Sequence, residues 1–74
     1  MMLKEKMVIT MTDGTNHIVQ KVKKIKGENV ALLLSLQDFV LRFAMEDENS
    51  DGTVLKFATD KEKILKIAEE FDKN

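Results

Sequence analysis

Apolar and polar residues alternate in two short segments of similar sequence, VLRFA at residues 40–44 and VLKFA at residues 54–58. Alternation with a period of two is typical of a strand that buries one face. It predicts two facing strands, with Arg42 and Lys56 on the polar side. The residues predicted on the shared apolar side are Leu41, Phe43, Met45, Leu55 and Phe57. The segment between the two strands is rich in Asp, Asn, Ser and Gly, so a hairpin is predicted.

The amino-terminal half begins with a β-branched segment at residues 7–12, followed by Asp-Gly at residues 13–14. Asp-Gly after such a segment is a strong hairpin signal. Residues 16–26 then fit two interpretations. As a regular strand they place Val19 and Ile25 on one face; as a helix they place apolar residues at helical spacing. We favour the strand, because Asp-Gly usually turns the chain straight back.

The central segment, residues 30–36, is apolar on both faces, which is typical of a central strand in a sheet. Residues 27–29 are predicted to form the turn before it, and residues 37–38 the tight connection after it. A buried helix over residues 30–45 is the alternative, because Leu and Ala favour helices. The similarity of the two alternating segments argues against that helix.

The carboxyl-terminal part, residues 60–72, has the signature of a helix. Thr59 and Glu62 form a Thr-x-x-Glu capping box, which makes Thr59 the predicted N-cap. Apolar residues then recur at helical spacing at Ile64, Ile67, Ala68 and Phe71. This apolar stripe is predicted to pack on the sheet.

These elements predict an α+β fold, in which a small antiparallel sheet of four to five strands carries a C-terminal helix on one face. The 74 residues are expected to form a single domain over 1–74, strand-rich at 6–59 and helical at 60–72. There is no cysteine, so disulfides and thiolate metal sites are excluded. The core, or an interface between copies, must supply the stability.

The acidic segment carries oxygen ligands at alternate positions, Asp47, Asn49 and Asp51, followed by Gly52. Over six residues this resembles the first half of a calcium-binding loop, with ligands at positions 1, 3 and 5 and glycine at 6. Such a loop requires a glutamate at position 12, where this chain has Ala58. A solvated hairpin loop without a metal is therefore predicted, and these residues are the only metal candidate in the sequence.

A basic segment at residues 21–26 contains Lys21, Lys23, Lys24 and Lys26. In a strand these lysines are shared between the two faces. They are candidate contacts to nucleic-acid phosphates. Nucleic-acid modules usually add aromatic residues for stacking and arginines for base edges. The simpler interpretation is a charged strand that resists edge-to-edge aggregation.

The sequence contains few of the residues that a catalytic site needs. His17 is the only histidine, and its place just after a predicted turn suggests a solvent-exposed side chain. Without a second histidine or a cysteine, neither a transition-metal site nor a nucleophilic triad can be assembled. No glycine-rich phosphate loop is present. We therefore expect no enzymatic activity, no cofactor and no small-molecule substrate.

The net charge of −1 and the lack of a long apolar run indicate neither nucleic acid nor membrane as a partner. The expected protein is small, non-catalytic and cytoplasmic, a protein-interaction module that serves as an adaptor or an inhibitor. Its expected partner is another protein or itself, in a homodimer formed through uncharged strand or helix surface. The alternative is a nucleic-acid-associated protein that uses residues 21–26.

Overall fold

The computed structural model describes residues 3–46 and 55–73, so the calcium-loop candidate Asp47, Asn49 and Asp51 lies outside the described residues. The elements are β1 Val8–Thr10, β2 Asn16–Ile25, β3 Glu28–Ser35, β4 Leu41–Glu46, β5 Leu55–Phe57 and α1 Lys61–Asp72. The strands form one sheet in the order β1-β2-β3-β4-β5, and every neighbouring pair is antiparallel. The predicted α+β fold is confirmed.

The second hairpin turns at Lys26 and Gly27, whose φ angles are 50° and 82°. Positive φ at both central residues is the geometry of a type I′ turn, whose twist matches that of the flanking strands. The paired residues on either side are Ile25 and Glu28. The turn predicted at residues 27–29 is therefore displaced, because Glu28 already belongs to β3.

The strand interpretation of the second segment is confirmed by β2, but the strand is irregular. Val19 pairs with Leu33, whereas Lys21 pairs with Leu32, so the residue between Val19 and Lys21 is a β-bulge. An extra residue reverses the alternation of side chains beyond it. Val19 and Ile25 therefore lie on opposite faces, and the prediction that they share one is wrong.

The sheet is curled and has an apolar core on each face. The inner face encloses a cluster of buried side chains from the sheet and its first turn: Met11, Val19, Ala31, Leu33, Ala44 and Leu55. The outer face packs against α1 through Val30, Met45, Ile67 and Phe71. β3 contributes to both clusters, as its two apolar faces predict.

The β4–β5 pairing differs from the predicted arrangement of faces. Ala44 pairs with Phe57, and Met45 pairs with Lys56. Residues directly opposite each other share a face, so Phe57 lies on the inner face with Ala44, and Lys56 lies on the outer face with Met45. The predicted grouping of Phe43 and Met45 with Leu55 and Phe57 is wrong. A register shift of one residue exchanges the faces of a whole strand.

The helix begins one residue later than the capping box suggests. Its N-cap is Asp60, whose side chain accepts a hydrogen bond from the backbone N–H of Glu62 at 3.0 Å. The first helical hydrogen bond runs from the N–H of Ile64 to the carbonyl of Asp60. Thr59 is therefore not the N-cap. Both residues are good caps, and the more strongly accepting carboxylate of Asp60 takes the position.

Candidate functional site

The helix covers only part of the outer face. Phe71 of α1 packs its ring against Phe43 of β4, with 5.1 Å between the ring centroids. Ile67 is buried in the same cluster with Val30 and Met45. These contacts lie at the end of the sheet that contains the β2–β3 turn. Toward the other end of the strands, within the described part of the chain, the outer face carries side chains that α1 does not cover.

Four apolar side chains form a line across the uncovered part of the outer face, which we call the outer row: Val8, Ile18, Leu34 and Leu41. Each residue is the direct register partner of the next, from β1 through β4. Three interstrand spacings of about 4.8 Å give this line a length of about 14 Å. Val8 is 58% exposed and Leu41 is 55% exposed, and the two central residues are half-buried.

Phe39 is an exposed aromatic residue in the turn between β3 and β4, close in sequence to the Leu41 end of the outer row. It lies two residues before Leu41, is 73% exposed and has a φ of 57°. A bulky residue in the left-handed region is strained, so the surrounding structure must hold it there. The N–H of Phe39 donates to the carbonyl of Ser35, and the N–H of Ser35 donates to the carbonyl of Val40. These hydrogen bonds hold the backbone of the turn that presents Phe39 to solvent.

The apolar surface continues from the outer row toward the helix. In the next register pair on the outer face, Leu32 lies opposite Phe43. Phe43 also lines a shallow groove of about 530 Å³ with Leu65, Ala68 and Phe71 of α1. Leu65 is 57% exposed. The exposed apolar residues thus extend from β1 to the helix, which is more than scattered single exposures would produce.

The lysines of the basic segment have different surroundings. Lys23 lies on the outer face opposite Val30, and its ammonium group donates to the backbone carbonyls of Glu70 and Lys73 at the end of α1. Lys21 is also on the outer face, whereas Lys24 is one residue further along and faces the other way. The predicted division of the lysines between two faces agrees with this arrangement. One of the candidate phosphate contacts is thus a structural contact to the helix.

A second cluster of functional groups lies around His17, at the end of the sheet near the Asp13-Gly14 turn. His17 is only 1% exposed, so the prediction of a solvent-exposed turn histidine is wrong. Its register partners, Ile9 and Ser35, belong to the inner face, and its ring packs on Phe57 with 5.2 Å between centroids. Register, rather than distance from the turn, determines its burial.

The ring nitrogens of His17 have different surroundings. The hydroxyl of Thr15 donates to the carboxylate of Asp13 at 2.5 Å, and Nδ1 of His17 lies 3.5 Å from the same hydroxyl oxygen. Nε2 is buried and has no hydrogen-bond partner in the described residues.

Two carboxylates near His17 have pKa values below their ordinary value of 3.8. Hydrogen bonds from the hydroxyl and then the amide of Thr15 lower the pKa of Asp13. A hydrogen bond from the hydroxyl of Ser35, followed by one from the amide of Val40, lowers the pKa of Asp38. Both groups are therefore ionised acceptors at neutral pH. They hold turns in place and are not available as proton donors.

These residues line a small cavity of about 210 Å³, with Arg42 and Phe57 on its wall. Arg42 is 3.4 Å from the carboxylate of Asp38, and its guanidinium carbon lies 6.0 Å from the centre of the Phe57 ring. Asp38 and Arg42 are thus paired with each other, and Asp13 accepts hydrogen bonds from Thr15. In the described parts of the chain no cluster of histidine and carboxylate side chains has the geometry to hold a metal ion.

Neither part of the described chain contains a helix that is long and apolar enough to cross a membrane. Comparisons of the sequence and the structure with protein-family models, curated proteins and solved structures gave no match. Function is therefore inferred from the surface and the side chains alone.

The outer row was not predicted from the sequence. Leu34 lies in the segment that is predicted to be buried on both faces, and Leu41 lies on the face of its strand that is predicted to be apolar. Neither pattern predicts an exposed row across four strands. The signal that could have revealed the row is the length of the helix. A helix of 12 residues is about 18 Å long and about 10 Å wide, too small to cover one whole face of a sheet of five strands.

Proposed function

We propose that this protein is a non-catalytic interaction module that binds a protein partner through the outer row and Phe39. The observation that carries the proposal is the row itself, four apolar side chains in register across four strands without cover from the described helix. The largest exposed apolar patch of a soluble protein is often a functional site.

The side chains of this surface suit protein recognition. Binding energy at interfaces is concentrated in a few well-placed large side chains, and aromatic residues are prominent among them. Phe39 is an exposed aromatic side chain, and hydrogen bonds hold the backbone of its turn. Less backbone conformational entropy is then lost on binding. Leu41 and Val8 provide apolar surface on either side of the half-buried centre of the row.

The chemistry of the remaining surface supports a non-catalytic role. The charged groups near His17 are engaged in turns and ion pairs, and the low pKa values of Asp13 and Asp38 make them poor proton donors at neutral pH. We also propose a cytoplasmic location. The chain has no cysteine, so it has no disulfide that would need an oxidising compartment. Whether the module acts as an adaptor or as an inhibitor depends on its partner.

Photo-crosslinking in the source cell tests this proposal. Phe39 is replaced by p-benzoylphenylalanine, which keeps an aromatic ring at the same exposed position. The matched control carries the same group at Thr59, which is exposed between β5 and α1 and lies outside the outer row. We expect a polypeptide adduct from position 39 and none from position 59. Equal labelling at both positions, or no polypeptide adduct from position 39, would contradict the proposal.

Binding to nucleic acid is tested in the same series. Titration with a generic duplex and a generic single strand at low salt measures any affinity that depends on the lysines. Binding that weakens steeply with salt, and that is lost when Lys21 and Lys24 are both changed to Gln, would favour the nucleic-acid alternative. Lys23 is left unchanged in that variant because it contacts the helix.

A further inference from the structure

We propose that the partner on the outer row is a second copy of this chain, bound face to face about a two-fold axis. This inference rests on the proposed function, since it names the occupant of the same surface. A two-fold contact places the same patch of both copies together, so the patch must complement itself. A straight row of similar apolar side chains meets that requirement in either direction.

The distribution of charge favours a second copy. Near a two-fold axis, a charged side chain faces its own like-charged equivalent, which is destabilising. The outer row contains no charge. Its polar neighbours on the outer face are Thr10 and Asn16, a register pair joined by a 2.8 Å hydrogen bond between their side chains, and Lys21, which is exposed and lies opposite Leu32. No charge within the row would need to leave water when two copies meet, and the long side chain of Lys21 can keep its ammonium group in water beside the contact.

The charged residues next to the Leu41 end of the row do not belong to the outer face. Arg42 pairs with Leu33 on the inner face, and Arg42 and Asp38 both line the cavity around His17, with 3.4 Å between their charged groups. A second copy on the outer row would therefore leave this ion pair undisturbed.

The exposed apolar area around the outer row is consistent with a dimer interface. The exposed parts of the outer row, Leu36 and Phe39 together present on the order of 400 Å² of apolar surface. A stable interface buries about 800 Å² on each partner, and homodimer interfaces are about two-thirds apolar. The patch therefore supplies most of the apolar surface that such an interface needs. Pairing through the edge of β1 is a poorer alternative, because that strand has only three residues.

Sedimentation equilibrium decides between a dimer and a monomer. The wild-type chain is measured from about 5 to 200 μM, beside the variants Leu41→Lys and Val8→Lys, each of which places a charge at one end of the row. Thr59→Lys adds the same charge away from the row and is the control. Circular dichroism establishes whether each variant is folded. Both row variants change exposed positions, so we expect them to fold.

The expected result is a wild-type mass that approaches twice the chain mass of 8.5 kDa. Dissociation constants should rise at least about tenfold in both row variants and remain unchanged in the control. A dimer that persists in both row variants would show that another surface is used. A monomeric wild type would overturn the dimer. If position 39 still crosslinks to a different polypeptide, the proposed function survives; if it crosslinks to none, both proposals fail.

Discussion

Lys23 on β2 holds the carboxyl end of α1, because its ammonium group donates hydrogen bonds to the backbone carbonyls of Glu70 and, at 2.9 Å, Lys73. The last carbonyls of a helix have no partner within it and carry partial negative charge, so a cation there satisfies and stabilises them. The residues are 47 and 50 positions apart in sequence. This contact joins the helix to a strand near the middle of the sheet and determines which part of the outer face is covered.

Replacing Lys23 with Met should therefore destabilise the protein. The methionine keeps the apolar stem but removes the charge-assisted hydrogen bonds, and we expect the free energy of unfolding to fall by about 1 kcal/mol. Urea denaturation measures the change. Lys24→Met is the matched control, since Lys24 is exposed and lies on the opposite face. Equal losses in the two variants would show that the helix contact is not responsible.

The position of the N-cap gives a second prediction. Asp60→Ala removes the acceptor for the N–H of Glu62 and should lower stability by about 1 kcal/mol. Thr59→Ala, one residue earlier, should change stability by less than about 0.5 kcal/mol. Thermal and urea unfolding of the two variants separate the alternatives. A larger loss for Thr59→Ala would restore the capping box indicated by the sequence.

The turn at Asp13 should make stability depend on pH. Hydrogen bonds from Thr15 lower the pKa of Asp13 below 3.8 in the folded state. The stabilisation is therefore present above the pKa of the unfolded chain and is lost as the pH falls through the lower folded pKa. Asp13→Asn should be less stable than the wild type at neutral pH, and the difference should shrink below about pH 3.

Unfolding experiments at several pH values measure this difference. Glu69→Gln, which removes an exposed carboxylate on α1, serves as the control for general loss of charge. A difference between wild type and Asp13→Asn that is the same at acidic and neutral pH would contradict the role of the ionised carboxylate.

The two faces of α1 should respond very differently to truncation. Phe71 is buried against Phe43, so Phe71→Ala should lower stability by about 3 kcal/mol. Leu65 is exposed on the same helix, and Leu65→Ala should cost less than about 0.5 kcal/mol. Both are measured by urea denaturation. Similar losses in the two variants would mean that the helix packs differently on the sheet.

Much of the fold followed from local sequence patterns. The Asp13-Gly14 hairpin, the apolar β3 segment and the carboxyl-terminal helix all have short-range signals, because turns and caps depend on a few neighbouring residues. The details that failed depend on pairing between strands. The bulge in β2 and the register of β4 with β5 decide which side chains face inward, and neither leaves a distinct local pattern.

The candidate site was predicted less well than the fold, for a related reason. His17 looks like a turn residue in the sequence, but its pairing with Ile9 and Ser35 places it on the inner face. Lys23 looks like one member of a basic run, but the bulge directs it toward the end of α1. The outer row combines single residues from four strands. Such a surface becomes visible only when strand order, register and the extent of helical cover are known together.

A dilution series followed by methyl and amide NMR spectra tests most directly whether the outer row is buried against a second copy. Spectra are compared between about 1 mM and 20 μM, a range over which a dimer with a dissociation constant of about 100 μM changes from mostly associated to mostly dissociated. We predict that the largest changes occur at the outer row and Phe39 and are absent in Leu41→Lys. Spectra that do not change with concentration, or changes centred on residues 21–26 or on β5, would contradict the account.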